Sequence, residues 1–98
     1  MMRNPTENKV LILEAIRAYD TNSIRGGATT LNIMYEAYLS YDQARHYLFE
    51  LLQGRMIESD VGTKRYRVTG KGIQYLSAYY DLDDLVINGP DRIEKGQE

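Results

Sequence analysis

Between residues 10 and 19 the apolar positions Val10, Leu13, Ile16 and Ala18, with Ile12 and Tyr19 alongside, recur at helical spacing. Ahead of them Asn4-Pro5-Thr6-Glu7 supplies a capping side chain, a proline for the first helical position and a carboxylate for the third. A first helix is therefore expected from Asn4 to about Tyr19. The polar, glycine-terminated stretch from Asp20 to Gly27 reads as a loop. Thr29 is placed to cap a short second helix that turns Ile33, Met34 and Ala37 to one side and ends near Tyr38-Leu39. Ser40 with Gln43 forms a capping box for a third helix, whose buried stripe is Ala44, Tyr47, Leu48, Leu51 and Leu52 and whose left-handed stop is Gly54.

After Gly54 the period drops from helical to alternating. Met56-Ile57-Glu58-Ser59, a turn over Asp60-Val61-Gly62-Thr63-Lys64, and Arg65-Tyr66-Arg67-Val68 predict a β-hairpin. Successive side chains alternate across a strand, so Tyr66 and Val68 share one face while Arg65 and Arg67 share the other. Thr69 caps a last helix, weakened locally by Gly70 and Gly72 and running to about Val86. From Asn88-Gly89-Pro90 onward the expectation is an unstructured tail. The fold class is mainly α with a β-hairpin (α+β).

Composition narrows the function classes. The chain has 98 residues, room for one small domain, with no cysteine and one histidine, His46. Thiol chemistry and cysteine or multi-histidine metal centres are excluded. No apolar run approaches a membrane span, and no basic-then-apolar leader opens the chain, so a cytoplasmic protein without membrane contact is expected. Net charge is −2, but residues 1–80 hold ten basic and eight acidic side chains while residues 81–98 hold two basic and six acidic ones. A mildly basic body with an acidic tail leaves a nucleic-acid partner open and makes local patches decisive. No nucleophile-histidine-carboxylate set or phosphate-cradling loop can be assembled, so the chain is not expected to be an enzyme or to need a cofactor.

Helix, short helix, helix, hairpin, helix is the element order of a winged helix-turn-helix with a C-terminal helix. Ile33-Met34-Tyr35-Glu36-Ala37-Tyr38-Leu39-Ser40-Tyr41 and Tyr66-Arg67-Val68-Thr69-Gly70-Lys71-Gly72 resemble the two signature stretches of the small archaeal winged-helix DNA-binding proteins. The resemblance spans roughly residues 9–86. It departs from that family at one point: the family's glycine directly before the hairpin is Arg55 here, with Gly54 one residue earlier. The resemblance implies double-stranded DNA binding with the third helix in the major groove and the hairpin on the backbone, and dimerisation through the C-terminal helix.

The residues bear on this independently. The outward side of the third helix carries Tyr41, Asp42, Gln43, Arg45, His46 and Phe49. Arginine pairs bidentately with guanine and glutamine with adenine, which makes Arg45 and Gln43 the reading candidates, with Tyr41 and His46 beside them. A solvated helix face shows the same pattern. Lys64, Arg65 and Arg67, with Lys71 close by, suit phosphate contacts, though a basic edge strand also guards against edge-to-edge pairing. On the last helix Ile73, Leu76 and Tyr80 can seal the domain, leaving Tyr75, Tyr79, Leu82 and Val86 as a second seam for a homodimer or a wider internal face. The division is thus residues 4–74 for the winged helix-turn-helix, 69–87 for the dimerisation helix and 88–98 for the disordered acidic tail. The favoured function is a DNA-binding transcriptional regulator. The alternatives are a winged helix used as a protein-protein interaction module, or an architectural chromatin protein with little sequence preference.

Overall fold

The computed structural model describes the backbone of residues 3–22 and 26–95 and the side chains of residues 3–20 and 26–85. Helix α1 (Pro5–Asn22) opens on a reciprocal cap. The Glu7 N–H donates to the Asn4 side-chain oxygen at 2.7 Å, and the Asn4 N–H donates to the Glu7 carboxylate at 3.3 Å. Val10, Ile12, Leu13, Ala15 and Ile16 form its buried side. Ala18 is exposed, not part of that face, because two residues beyond Ile16 the helix has turned more than half way round. The helix also passes its expected end near Tyr19 and takes in Asp20 to Asn22.

Helix α2 (Thr30–Ala37) is capped by Thr29 and Asn32 in a capping box and stops at Tyr38, which is left-handed at φ 55°. Three residues later helix α3 (Tyr41–Gln53) begins on the Ser40–Gln43 capping box. Its stop corrects the expectation for Gly54. Gly54 is right-handed at φ −79°, and the left-handed residue is Arg55 at φ 61°. The Met56 N–H donates to the Leu51 carbonyl and the Arg55 N–H to the Leu52 carbonyl, the paired bonds of a Schellman end, and that pattern demands the left-handed turn at residue 55.

Strands β1 (Ile57–Asp60) and β2 (Arg65–Val68) pair antiparallel, Ile57 opposite Val68 and Asp60 opposite Arg65. Ala28, directly after the stretch expected to be loop, exchanges both backbone hydrogen bonds with Tyr66 and adds a single bridge beside β2. The core gathers Ile12, Leu13 and Ile16 of α1, Ile33 of α2, Ala44, Leu48 and Leu51 of α3, Ile57 of β1, and Leu76 of the last helix.

Helix α4 (Gly70–Lys95) starts on Thr69, whose hydroxyl accepts from the Gly72 N–H at 3.1 Å and donates to the Arg55 carbonyl at 2.7 Å. Gly72 is more than a weak helix former: a Cβ there would stand 2.3 Å from the Met56 carbonyl oxygen and 2.6 Å from Val68 Cγ1. The helix needs glycine where it crosses the hairpin. Its faces also differ from the expected pair. Leu76 is buried and Tyr75 and Tyr79 pack half-buried on the core, while Ile73 and Tyr80 are exposed. Three consecutive turns on the side of Gly72 meet the domain, so the seam is rotated from the one read off the 73–76–80 spacing. The helix continues past Val86 and through Asn88-Gly89-Pro90 to Lys95, where an unstructured tail was expected. The helical backbone is kept there although an interior proline removes one hydrogen bond of the ladder and crowds the carbonyl four residues back. The side chain of Val86 and residues 96–98 lie outside the described residues.

Candidate nucleic-acid interface

With Ala44, Leu48 and Leu51 buried, α3 turns Asp42, His46, Phe49 and Gln53 outward at spacings of four, three and four. One flank of this ridge faces the hairpin. There Thr30, Tyr41, Arg45, Leu48, Phe49, Leu52 and Tyr66 line an open groove between α3, the start of α2 and β2. The Arg45 guanidinium stands over the Tyr41 ring, 5.8 Å from its centroid, a cation–π contact that holds a long side chain in place. Tyr41 and Arg45 therefore sit together on the groove.

The other two candidates on α3 are engaged elsewhere. Gln43 accepts the Ser40 N–H at 3.0 Å through Oε1, so its amide cannot offer both groups to an adenine while the cap is intact. Two roles read from one residue conflict, and the structure assigns it the cap. His46 lies on the far flank, its Nε2 3.2 Å from Glu50, which also pairs with Lys9 of α1 at 2.8 Å. The hydrogen bond from Lys9 chiefly holds the Glu50 carboxyl below its ordinary value. Nearby, buried Asn8 donates to the Tyr47 hydroxyl at 3.1 Å, a second tie between α1 and α3.

The wing divides in the same way. Arg65 donates to the Gly27 carbonyl at 3.1 Å, and Arg67 Nε lies 3.7 Å from the Asp20 carboxylate. Arg65 reaches back to the α1–α2 connection and Arg67 to the last turns of α1, although Arg67 remains exposed. Lys64, left-handed at φ 59°, is exposed at the hairpin tip, and Lys71 is exposed in the first turn of α4. The tip is shaped by Asp60, whose carboxylate accepts from Gly62 and Thr63. Sequence reasoning gave no role to Thr30, Phe49 or Tyr66, which line the groove. Phe49 had a signal, its outward place on α3. Thr30 and Tyr66 had none, because they reach the groove only through tertiary packing. Among the described residues no group of three or more histidine or carboxylate side chains could hold a metal ion, and no helix is long and apolar enough to cross a membrane.

A second and third helix joined by a three-residue turn, followed by a hairpin beside the third helix, define a winged helix-turn-helix, a class that points to DNA binding in general. The chain belongs to the winged helix-turn-helix family, whose model matches residues 10–86, from the middle of α1 into α4. Comparison with curated proteins finds no match to this chain.

Proposed function

We propose that this protein is a cytoplasmic transcriptional regulator that binds double-stranded DNA as a homodimer, the DNA binding and the dimer being what its resemblance to small archaeal winged-helix proteins implies. The observation that carries the reading is the groove in which Tyr41 and Arg45 of α3 lie beside the hairpin. An α-helix fits the major groove, and the N-terminal half of α3 would bring Arg45 to base edges while Lys64 and Lys71 meet phosphates. Arg65 supports this surface by tying the wing to the α1–α2 connection, and Arg67, in a long and exposed ion pair with Asp20, keeps enough exposure to reach a phosphate. The test is titration of labelled genomic fragments at two salt concentrations. Binding should fall steeply with salt. Arg45→Ala should lower preference for the best site by about 1–3 kcal/mol, and the Lys64→Ala, Lys71→Ala pair should weaken every sequence alike and reduce the salt slope by about two. Equal loss on every sequence for Arg45→Ala would make it a phosphate contact.

One observation favours a second reading, a protein-interaction module. Leu31 and Tyr35 of α2 and its cap residue Tyr38 are strongly exposed, a stripe of largely apolar surface without a cationic side chain. Failure to retain any DNA at low salt would transfer the assignment to that reading.

A further inference from the structure

The only phenylalanine of a chain with a small core is spent on the surface. Phe49 is 61% exposed, at the point where the outward ridge of α3 meets the groove toward β2. The polar groups around it are partly committed: the Gln43 carbonyl to the cap, His46 to Glu50, Arg45 to the Tyr41 ring. A phenyl ring can neither donate nor accept a base-edge hydrogen bond. Set against a guanine or adenine edge it would leave polar atoms unpaired and desolvated. The one apolar feature on a major-groove edge is the C5-methyl group of a pyrimidine.

We propose that Phe49 reads a pyrimidine C5-methyl group in the major groove, which makes it a specificity-determining residue of α3. The inference rests on the DNA-binding assignment above. Thymine carries this group in ordinary DNA, and 5-methylcytosine presents the same group at the same place on the edge. Phe49 follows Arg45 by one helical turn, roughly 6 Å along the axis, so the methyl lies about two base-pair steps from any base that Arg45 contacts.

The experiment begins with a best site enriched from random duplexes with the full chain. Each thymine in it is then replaced, one at a time, by deoxyuridine, which removes only the methyl. Loss of one buried methyl corresponds to roughly fourfold in affinity. The expected result is that loss at one position per half-site for the wild type, no loss there for Phe49→Ala, and an intermediate loss for Phe49→Leu. Placing 5-methylcytosine at that position should recover affinity relative to unmethylated cytosine if the methyl alone is read; no recovery confines the contact to thymine. Because Phe49 is exposed, the variants should keep the wild-type unfolding transition. A wild type indifferent to every deoxyuridine, or a Phe49→Ala protein with the same sensitive position, overturns the inference while leaving DNA binding standing. A wild type that binds no duplex overturns both.

Discussion

Arg55 holds φ 61° at the end of α3, a conformation in which a side chain crowds the following carbonyl at a cost of about 1–2 kcal/mol. The glycine that resembling proteins carry at this place is explained by that requirement. Arg55→Gly should therefore raise stability by about 1 kcal/mol, offset in part by the freedom glycine adds to the unfolded chain, and thermal denaturation should show a higher midpoint. The two glycines of the first turn of α4 should part company. Gly72→Ala forces a methyl onto the Met56 carbonyl and should cost about 1–3 kcal/mol, whereas Gly70 has nothing within 4 Å and Gly70→Ala should gain about 0.5–1 kcal/mol in denaturant titration. Tyr80 donates to the Glu14 carboxylate across 66 residues, and that hydrogen bond, followed by burial, pushes its phenol up to about 12. The neutral phenol is favoured by folding, so the stabilisation is full below an unfolded value of about 10 and disappears as pH climbs through about 12. Tyr80→Phe should be less stable than wild type at neutral pH and should lose less of its stability between those two values, as read from denaturation midpoints across the range.

The elements are tied together at the α1–α2 connection. Gly27 sits at φ +92° with its α-hydrogen side against β2, where a Cβ would stand 2.6 Å from the Tyr66 carbonyl oxygen. That close approach is what lets Ala28 pair with Tyr66 and Arg65 reach the Gly27 carbonyl. Gly27→Ala should therefore cost about 1–3 kcal/mol and loosen the hairpin, seen as faster amide exchange at Tyr66. Arg67→Ala removes only a long, exposed ion pair and should change stability by less than about 1 kcal/mol. Together the two variants separate what positions the wing from what decorates it. The Asn8–Tyr47 and Lys9–Glu50 contacts in turn tie α3, which carries Arg45 and Phe49, to α1.

At the scale of the whole molecule, α4 spans 26 residues, about 39 Å of helix, and its later turns outrun the domain they start from. Tyr75 and Tyr79 pack half-buried on the core, so of the expected seam Leu82 stays exposed at 63%, joined on the later described turns by Leu85 at 55%, as apolar surface for the proposed second copy. Such a seam is short, and association must first offset the lost freedom of two molecules, so a breakable dimer is the expected outcome. Light scattering should give about twice the 11.3 kDa chain mass. Leu82→Glu with Leu85→Glu should return the protein to monomer at an unchanged unfolding midpoint and weaken binding to a two-half-site DNA far more than to one half-site. A wild-type monomer at micromolar concentration would confine α4 to a role within one chain.

The sequence by itself determined what acts within a turn or two of chain. The Asn4–Glu7, Thr29 and Ser40–Gln43 caps, the buried stripes of α1 and α3, the change of period at the hairpin and the order of elements all depend on neighbours in sequence, so spacing and residue type carry them. Even the conflict over Gln43 was present locally, as one amide asked both to cap and to read. The tertiary structure decided what depends on how elements dock. Periodicity places Ile73, Leu76 and Tyr80 on one side of α4 but is silent on how that side docks, and packing seated Gly72 on the hairpin and Tyr75, Leu76 and Tyr79 on the core, with Tyr80 reaching Glu14 of α1 through its hydroxyl. Packing turned Arg65 toward the α1–α2 connection and Arg67 toward the end of α1, brought Thr30 and Tyr66 to the groove of Arg45, and left Phe49 largely in solvent. Those contacts join residues far apart in the chain, and a local pattern contains no information about a partner it does not touch.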